Sequence, residues 1–176
     1  MDWLDQVKEK LKRKNKILFS KDSCLLNGLN MLIETKERFE VVLWALDLAE
    51  EAVVKLEKLY PTDMRPRTAL DMSRAWAEGR IKMREAQRAI LNCHAGAKET
   101  DDAAAALYHA TAQACSAVHT IRHAIGFPMY ELTALVLLFG ADNCREVVEN
   151  RVKEYEIKLL ETDCSGYAGS RAEFLK

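Results

Sequence analysis

Two groups of residues have the types and spacing to do chemistry, and the first is a row of histidines with a cysteine. Cys115, His119 and His123 are four residues apart, so on one continuous helix they would share a face. Two histidines at this spacing can ligate zinc, and His94 on a neighbouring helix could complete a four-ligand set. The zincin motif is incomplete, because Thr120 follows His119 where that motif has glutamate. We expect the histidines to bridge helices through hydrogen bonds, with zinc or small-molecule binding, or an enzyme site, as the alternative.

The second group combines arginines, carboxylates and tryptophans on two consecutive helices. Its members are Trp44, Asp47, Glu50, Asp63, Arg65, Arg67, Arg74 and Trp76. Arg67 and Arg74 are seven residues apart and share a helix face, where their guanidinium groups could pair with carboxylates or hold an anionic ligand. We expect a buried ion-pair network here. If the same residues were exposed, they would form a binding hot spot for a partner.

The charge of the chain argues against two classes of partner. The sequence has 26 Lys and Arg against 27 Asp and Glu, so no overall attraction to nucleic acid or to an anionic membrane is expected. Cations are dense only in residues 8–16, on a short helix with a narrow apolar stripe. We expect that helix to dock on the protein, with a membrane surface as the alternative.

The sequence shows no segment that would direct the chain out of the cytoplasm. Its first residues are acidic where a secretion signal needs positive charge, and no apolar run approaches the roughly 18 residues that span a bilayer. The five cysteines are scattered, without a CxxC pair. We therefore expect a cytoplasmic protein with reduced thiols.

Apolar residues recur with the helical period along most of the chain, and there are only seven Gly and three Pro. We predict helices at residues 3–14, 22–33, 37–60, 66–96, 103–125, 129–139 and 143–160. Pro66 begins the fourth of these helices, while Gly126 and Pro128 end the fifth. The short turn between the fourth and the fifth makes them antiparallel neighbours. The predicted fold class is all-α, a single-domain antiparallel helical bundle of about five to seven helices.

Three segments make up the predicted organisation. Residues 1–35 form an N-terminal helical segment packed on the core, residues 36–162 form the bundle, and residues 163–176 form a tail that lies over the surface or is mobile. Within the bundle, the fourth helix should bury one face, which carries Ala69, Trp76, Met83, Ile90 and His94.

The common motifs of nucleotide-binding and hydrolytic enzymes do not occur in the sequence. Neither of the glycine-rich phosphate-binding motifs GxxxxGK(S/T) and GxGxxG is found, and the GxSxG motif of serine hydrolases is missing as well. We therefore expect no enzyme activity and no cofactor, with zinc at the histidine row as the alternative.

A set of short segments between residues 40 and 130 carries a family resemblance. These segments are Trp44-x-x-Asp47-x-Ala49-Glu50, Tyr60-Pro61-x-Asp63-x-Arg65-Pro66-Arg67-x-Ala69-Leu70, Arg74-Ala75-Trp76-x-x-Gly79, Glu85-Ala86-x-Arg88, His94-Ala95 and His119-x-x-x-His123-Ala124. With them, the chain resembles the immunity-five-like family of bacterial immunity proteins. The segment from Pro61 to Arg67 and the Arg-Ala-Trp that follows it are the most specific part.

The resemblance implies a cytoplasmic protein, encoded beside a toxin, that binds this toxin and blocks it by occlusion without catalysis. It carries no functional residues over to this chain. The expected partner is therefore a cognate protein toxin, with no nucleic acid and no membrane. Two other hypotheses are a metal-dependent protein that uses His94, Cys115, His119 and His123, and a scaffold or homodimer that associates through its terminal helices.

Overall fold

The computed structural model describes residues 2–176, and these residues form eight α-helices and no strand. The helices are α1 (Trp3–Lys12), α2 (Asn27–Thr35), α3 (Arg38–Leu59), α4 (Arg65–Ala77), α5 (Met83–Gly96), α6 (Asp102–Ser116), α7 (Gly126–Phe139) and α8 (Arg145–Glu161). Short 3-10 turns lie at Cys24–Leu26, Ala97–Glu99, Ile121–His123 and Glu173–Leu175. The predicted all-α class is confirmed. No helix in residues 2–176 is both long and apolar enough to cross a membrane.

The core is organised around α3 and α6. Helix α6 contacts α3, α4, α5 and α7. Its alanines are mostly buried, and because their side chains are small the neighbouring helices can approach closely. The longer α3 contributes Trp44, whose indole N–H donates to the backbone oxygen of Tyr155 on α8 at 3.1 Å. That bond ties the central helix pair to the last helix.

The helix predicted over residues 66–96 is wrong, since the structure divides it into α4 and α5. The break lies at Gly79, whose φ of +78° is a left-handed conformation that residues with a side chain rarely adopt. Gly79 and the residue after it donate their backbone N–H groups to the last turn of α4, in the Schellman pattern that ends helices. Met83 then begins α5 and is exposed, so it does not share a buried face with Trp76.

The helix predicted over residues 103–125 is also too long. The α-helix ends at Ser116, and a turn and the 3-10 segment Ile121–His123 follow it. Gly126 and Pro128, which were expected to end this helix, lie in the first turn of α7 instead. A proline is well placed there, because the first N–H groups of a helix have no partner within the helix.

The two ends of the chain pack on the bundle. Trp3 of α1 is buried, and its indole N–H donates to Glu149 on α8 at 3.1 Å. At the other end, the backbone N–H of Ala172 donates to the carbonyl of Ala77 at 2.8 Å. The guanidinium of Arg171 lies 4.3 Å from the ring centre of Phe39. The C-terminal segment is thus held against the ends of α3 and α4.

Candidate functional site

Two of the four histidines meet where α5, α6 and α7 come together. His94 on α5 and His109 on α6 face each other with their Nδ1 atoms 2.8 Å apart, so one ring donates its N–H to the other. The His109 ring also packs on the ring of Tyr130, with centroids 5.2 Å apart. The expectation that histidines bridge helices through hydrogen bonds is confirmed for this pair.

Both imidazoles of this pair favour the neutral form. Burial above all, together with the nearby His109 and His123, lowers the pKa of His94 to about 4. Burial also lowers the pKa of His109, helped by the charge of Lys16. At neutral pH two uncharged rings therefore share one hydrogen bond.

We expect this pair to make the fold acid-sensitive. The folded pKa of His94 lies below the unfolded value of 6.5, so its contribution is fully present above pH 6.5 and is lost as the pH falls toward 4. The loss amounts to about 2–3 kcal/mol at about pH 4.5. Urea unfolding at a pH above 6.5 and at about pH 4.5 measures this loss of stability. His94→Gln is the control, because glutamine does not titrate. An equal acid loss in the variant and the parent would contradict the assignment to His94.

The remaining two histidines line a small pocket with His94. The pocket has a volume of about 170 Å³, and Trp76 forms one wall. His119 stacks on Trp76 with 5.9 Å between ring centroids and an interplanar angle of 22°. His123 bonds through Nδ1 to the amide oxygen of Gln113 on α6 at 2.8 Å.

The structure does not assemble the four-ligand set that the spacing offered as an alternative. Because α6 ends at Ser116, His119 and His123 do not continue the helix face of Cys115. Cys115 is fully buried and does not line the histidine pocket, and burial raises the pKa of its thiol to about 12. Within residues 2–176, no group of three or more His, Cys, Asp or Glu side chains is placed to hold a metal ion.

The arginine group forms an ion-pair network between α3 and α4. Arg67 donates to Glu50 at 3.0 Å and to Glu57 at 2.8 Å, and Arg74 donates to the same oxygen of Glu50 at 2.7 Å. Hydrogen bonds from the two arginines, that of Arg67 above all, lower the pKa of Glu50. The expected pairing is therefore present, but its side chains are half-buried instead of buried. Asp47 lies beside the network, and desolvation raises the pKa of its carboxyl group.

The two tryptophans of this group are not on the surface. Trp44 is 1% exposed and Trp76 is 5% exposed. Neither indole ring is therefore available as an exposed anchor for a partner, as the hot-spot alternative would need.

Asp63 and Arg65 build the corner that begins α4. One oxygen of Asp63 accepts the backbone N–H of Arg65 at 2.9 Å, and the other accepts the hydroxyl of Tyr108 on α6 at 2.6 Å. The Arg65 guanidinium pairs with Asp63 and with Glu99 after α5, and lowers the pKa of Asp63 to about 2. These residues join three helices, which gives the Asp-x-Arg-Pro segment a structural role.

Sequence reasoning missed a buried charge cluster around Glu131. This α7 residue is 1% exposed and accepts from Lys55 at 2.8 Å, from Arg151 at 2.9 Å and from the hydroxyl of Tyr155 at 2.5 Å. Burial alone would raise the pKa of Glu131, but Arg151 and Lys55 hold it below its usual value. A signal was present, because Glu131 is the only charged residue between positions 126 and 139.

A second feature that was missed is the exposed end of α7, called here the α7 tip. Its residues Leu137, Leu138 and Phe139 are 38%, 64% and 50% exposed. The sequence predicted a short apolar helix over residues 129–139, which does not by itself indicate an exposed end. The tip lies beside a groove of about 510 Å³ between α7 and α8.

Comparison with known protein families identifies a match for most of the chain. Residues 31–158 match the model of a family described as "Imm-5 like putative immunity protein". No curated protein and no solved structure matches the chain.

Proposed function

Because this chain belongs to the Imm-5 like putative immunity protein family, we propose that it protects a cell by binding a protein toxin and blocking it. The family match is the observation that carries the proposal. It covers 128 of 176 residues and runs from within α2 to near the end of α8. The corner built by Asp63 and Arg65, the histidine pocket and the α7 tip all lie inside the matched region.

The protein acts by occlusion in the cytoplasm, without turnover and without a cofactor. Support comes from the polar clusters, whose charges pair with one another: Glu50 with Arg67 and Arg74, and Asp63 with Arg65. A catalytic acid, base or nucleophile must instead present its reactive atom to a substrate. These clusters hold helices together and leave binding to the surface.

The test pairs the chain with the toxin encoded by its neighbouring gene. We expect cells that express the toxin to survive when the chain is co-expressed, and the purified proteins to form a stoichiometric complex in calorimetry. A catalytically inactive toxin variant serves for the binding measurement. If the cells survive while the purified proteins do not bind, the occlusion mechanism is wrong; if no neighbouring toxin is neutralised, the proposed function fails.

A further inference from the structure

The α7 tip exposes more apolar surface than a solvated helix end needs. Leu137, Leu138 and Phe139 are consecutive, and successive residues on a helix point about 100° apart. Apolar surface therefore covers most of the circumference of this last turn. Gly140, with a φ of +77°, ends the helix, and its Cβ position has no atom within 4 Å. All three side chains keep a large exposed fraction, and a contiguous exposed apolar run of this kind is typical of an interaction site.

The tip continues into the groove between α7 and α8. Leu135 and Phe139 are four residues apart on one face of α7, and Val147 of α8 stands in the opposite wall. All three are partly accessible. The groove therefore offers an apolar slot in which a side chain of a partner can lose its contact with water.

The charges of the groove favour a basic occupant. Lys55 and Arg151 both pair with the buried Glu131, and Arg151 also pairs with Glu154, so these two cations and two carboxylates balance. Glu146 of α8, in contrast, is exposed and has no ion-pair partner within residues 2–176, although the neighbouring Arg145 pairs with Asp2 and Glu149. One uncompensated carboxylate thus stands beside the apolar slot, where a cation of the partner would be attracted.

The amides of the same wall are also free. The side chains of Asn143 and Asn150 line the groove, are exposed, and make no hydrogen bond within residues 2–176. Each offers donors and an acceptor to a partner backbone. Polar groups around an apolar centre are the usual arrangement of a protein interface.

We propose that the α7 tip and this groove are the surface on which the toxin docks, through an apolar side chain placed next to a lysine or arginine. The inference rests on the proposed function and names the site that performs it. A second copy of the chain fits less well. In a symmetric dimer the same patch meets itself, so each Glu146 would approach another acidic groove instead of a cation.

The experiment compares three variants in binding to the inactive toxin. Leu138→Asp should weaken binding at least about 30-fold, because it places a charge in the centre of the apolar contact. Glu146→Lys should weaken binding about 10-fold, with a smaller effect at high salt. The control is Leu59→Asp, since Leu59 is 60% exposed, close to the value of Leu138, and also lies in the last turn of a helix. It should bind like the parent, and thermal unfolding checks that all three fold.

The outcomes separate the two proposals. If the parent does not bind the toxin, the proposed function fails and takes the docking surface with it. If the parent binds and both Leu138→Asp and Glu146→Lys bind equally well, only the docking surface is overturned. A parent dimer that Leu138→Asp converts to a monomer would show that the occupant is a second copy, and would also overturn the proposal.

Discussion

Replacing Glu131 with alanine should destabilise the fold by about 3–5 kcal/mol, because the variant removes the buried carboxylate that accepts from Arg151 and from the hydroxyl of Tyr155. The side chain of Arg151 is only 11% exposed and remains charged at any accessible pH. It would keep Glu51 and Glu154 as partners at the rim but lose the carboxylate at the bottom of the groove. The hydroxyl of Tyr155, which is fully buried, would lose its acceptor as well.

Urea unfolding followed by circular dichroism measures this effect. Glu9→Ala is the matched control, because Glu9 also pairs with two cations but its side chain is 49% exposed, and such pairs contribute about 1 kcal/mol or less. The double variant Glu131→Leu with Arg151→Met should recover part of the loss, since it removes both charges and fills the space. Equal costs for Glu131→Ala and Glu9→Ala would show that the cluster around Glu131 is not energetically buried.

The sequence was sufficient to predict the fold class, because a helix produces a local period of apolar residues. The period of apolar residues predicted α3 and α8 nearly to their ends, since residues 37–60 and 143–160 correspond to Arg38–Leu59 and Arg145–Glu161. The prediction of one long helix over residues 66–96 was wrong because of a single residue, Gly79. Gly79 inside a periodic pattern costs only about 1 kcal/mol in a helix, so the pattern on either side outweighed it. What ends the helix is a turn that also contacts the C-terminal segment at Ala172.

Gly126 and Pro128 show a second limit of local reasoning. Both residue types occur at the end of one helix and at the beginning of the next, so they mark a boundary without saying on which side the helix lies. The choice depends on the segment before them, where Ala117 and Val118 are fully buried although α6 has ended. Burial of a turn by distant elements cannot be derived from periodicity.

The candidate site divides in the same way. The pairing of Arg67 and Arg74 with Glu50 was predictable, because the residues lie on consecutive helices joined by a short connection. Lys55 and Arg151 are 76 and 20 residues from Glu131, and no local pattern relates them. The histidine row depended on one unbroken helix, and the end of α6 removed that premise.

Trp76→Ala should destabilise the fold by about 3–5 kcal/mol, the usual cost of removing a large buried aromatic side chain. Trp76 stacks on His119 and packs at a tilt against Phe174 of the C-terminal segment, with centroids 5.9 Å apart in both cases. Urea unfolding gives the free energy. A midpoint close to that of the parent would contradict the burial of this ring.

The same variant tests how the C-terminal segment is held. If Trp76 is its main support, Trp76→Ala should release the segment and speed trypsin cleavage at Arg171 under conditions in which the bundle remains folded. Trp3→Ala is the matched control, because Trp3 is equally buried but packs at the other end of the chain, on Phe19. Continued protection of Arg171 in the Trp76 variant would instead assign the support to its stacking on Phe39 and to the backbone bond between Ala172 and Ala77.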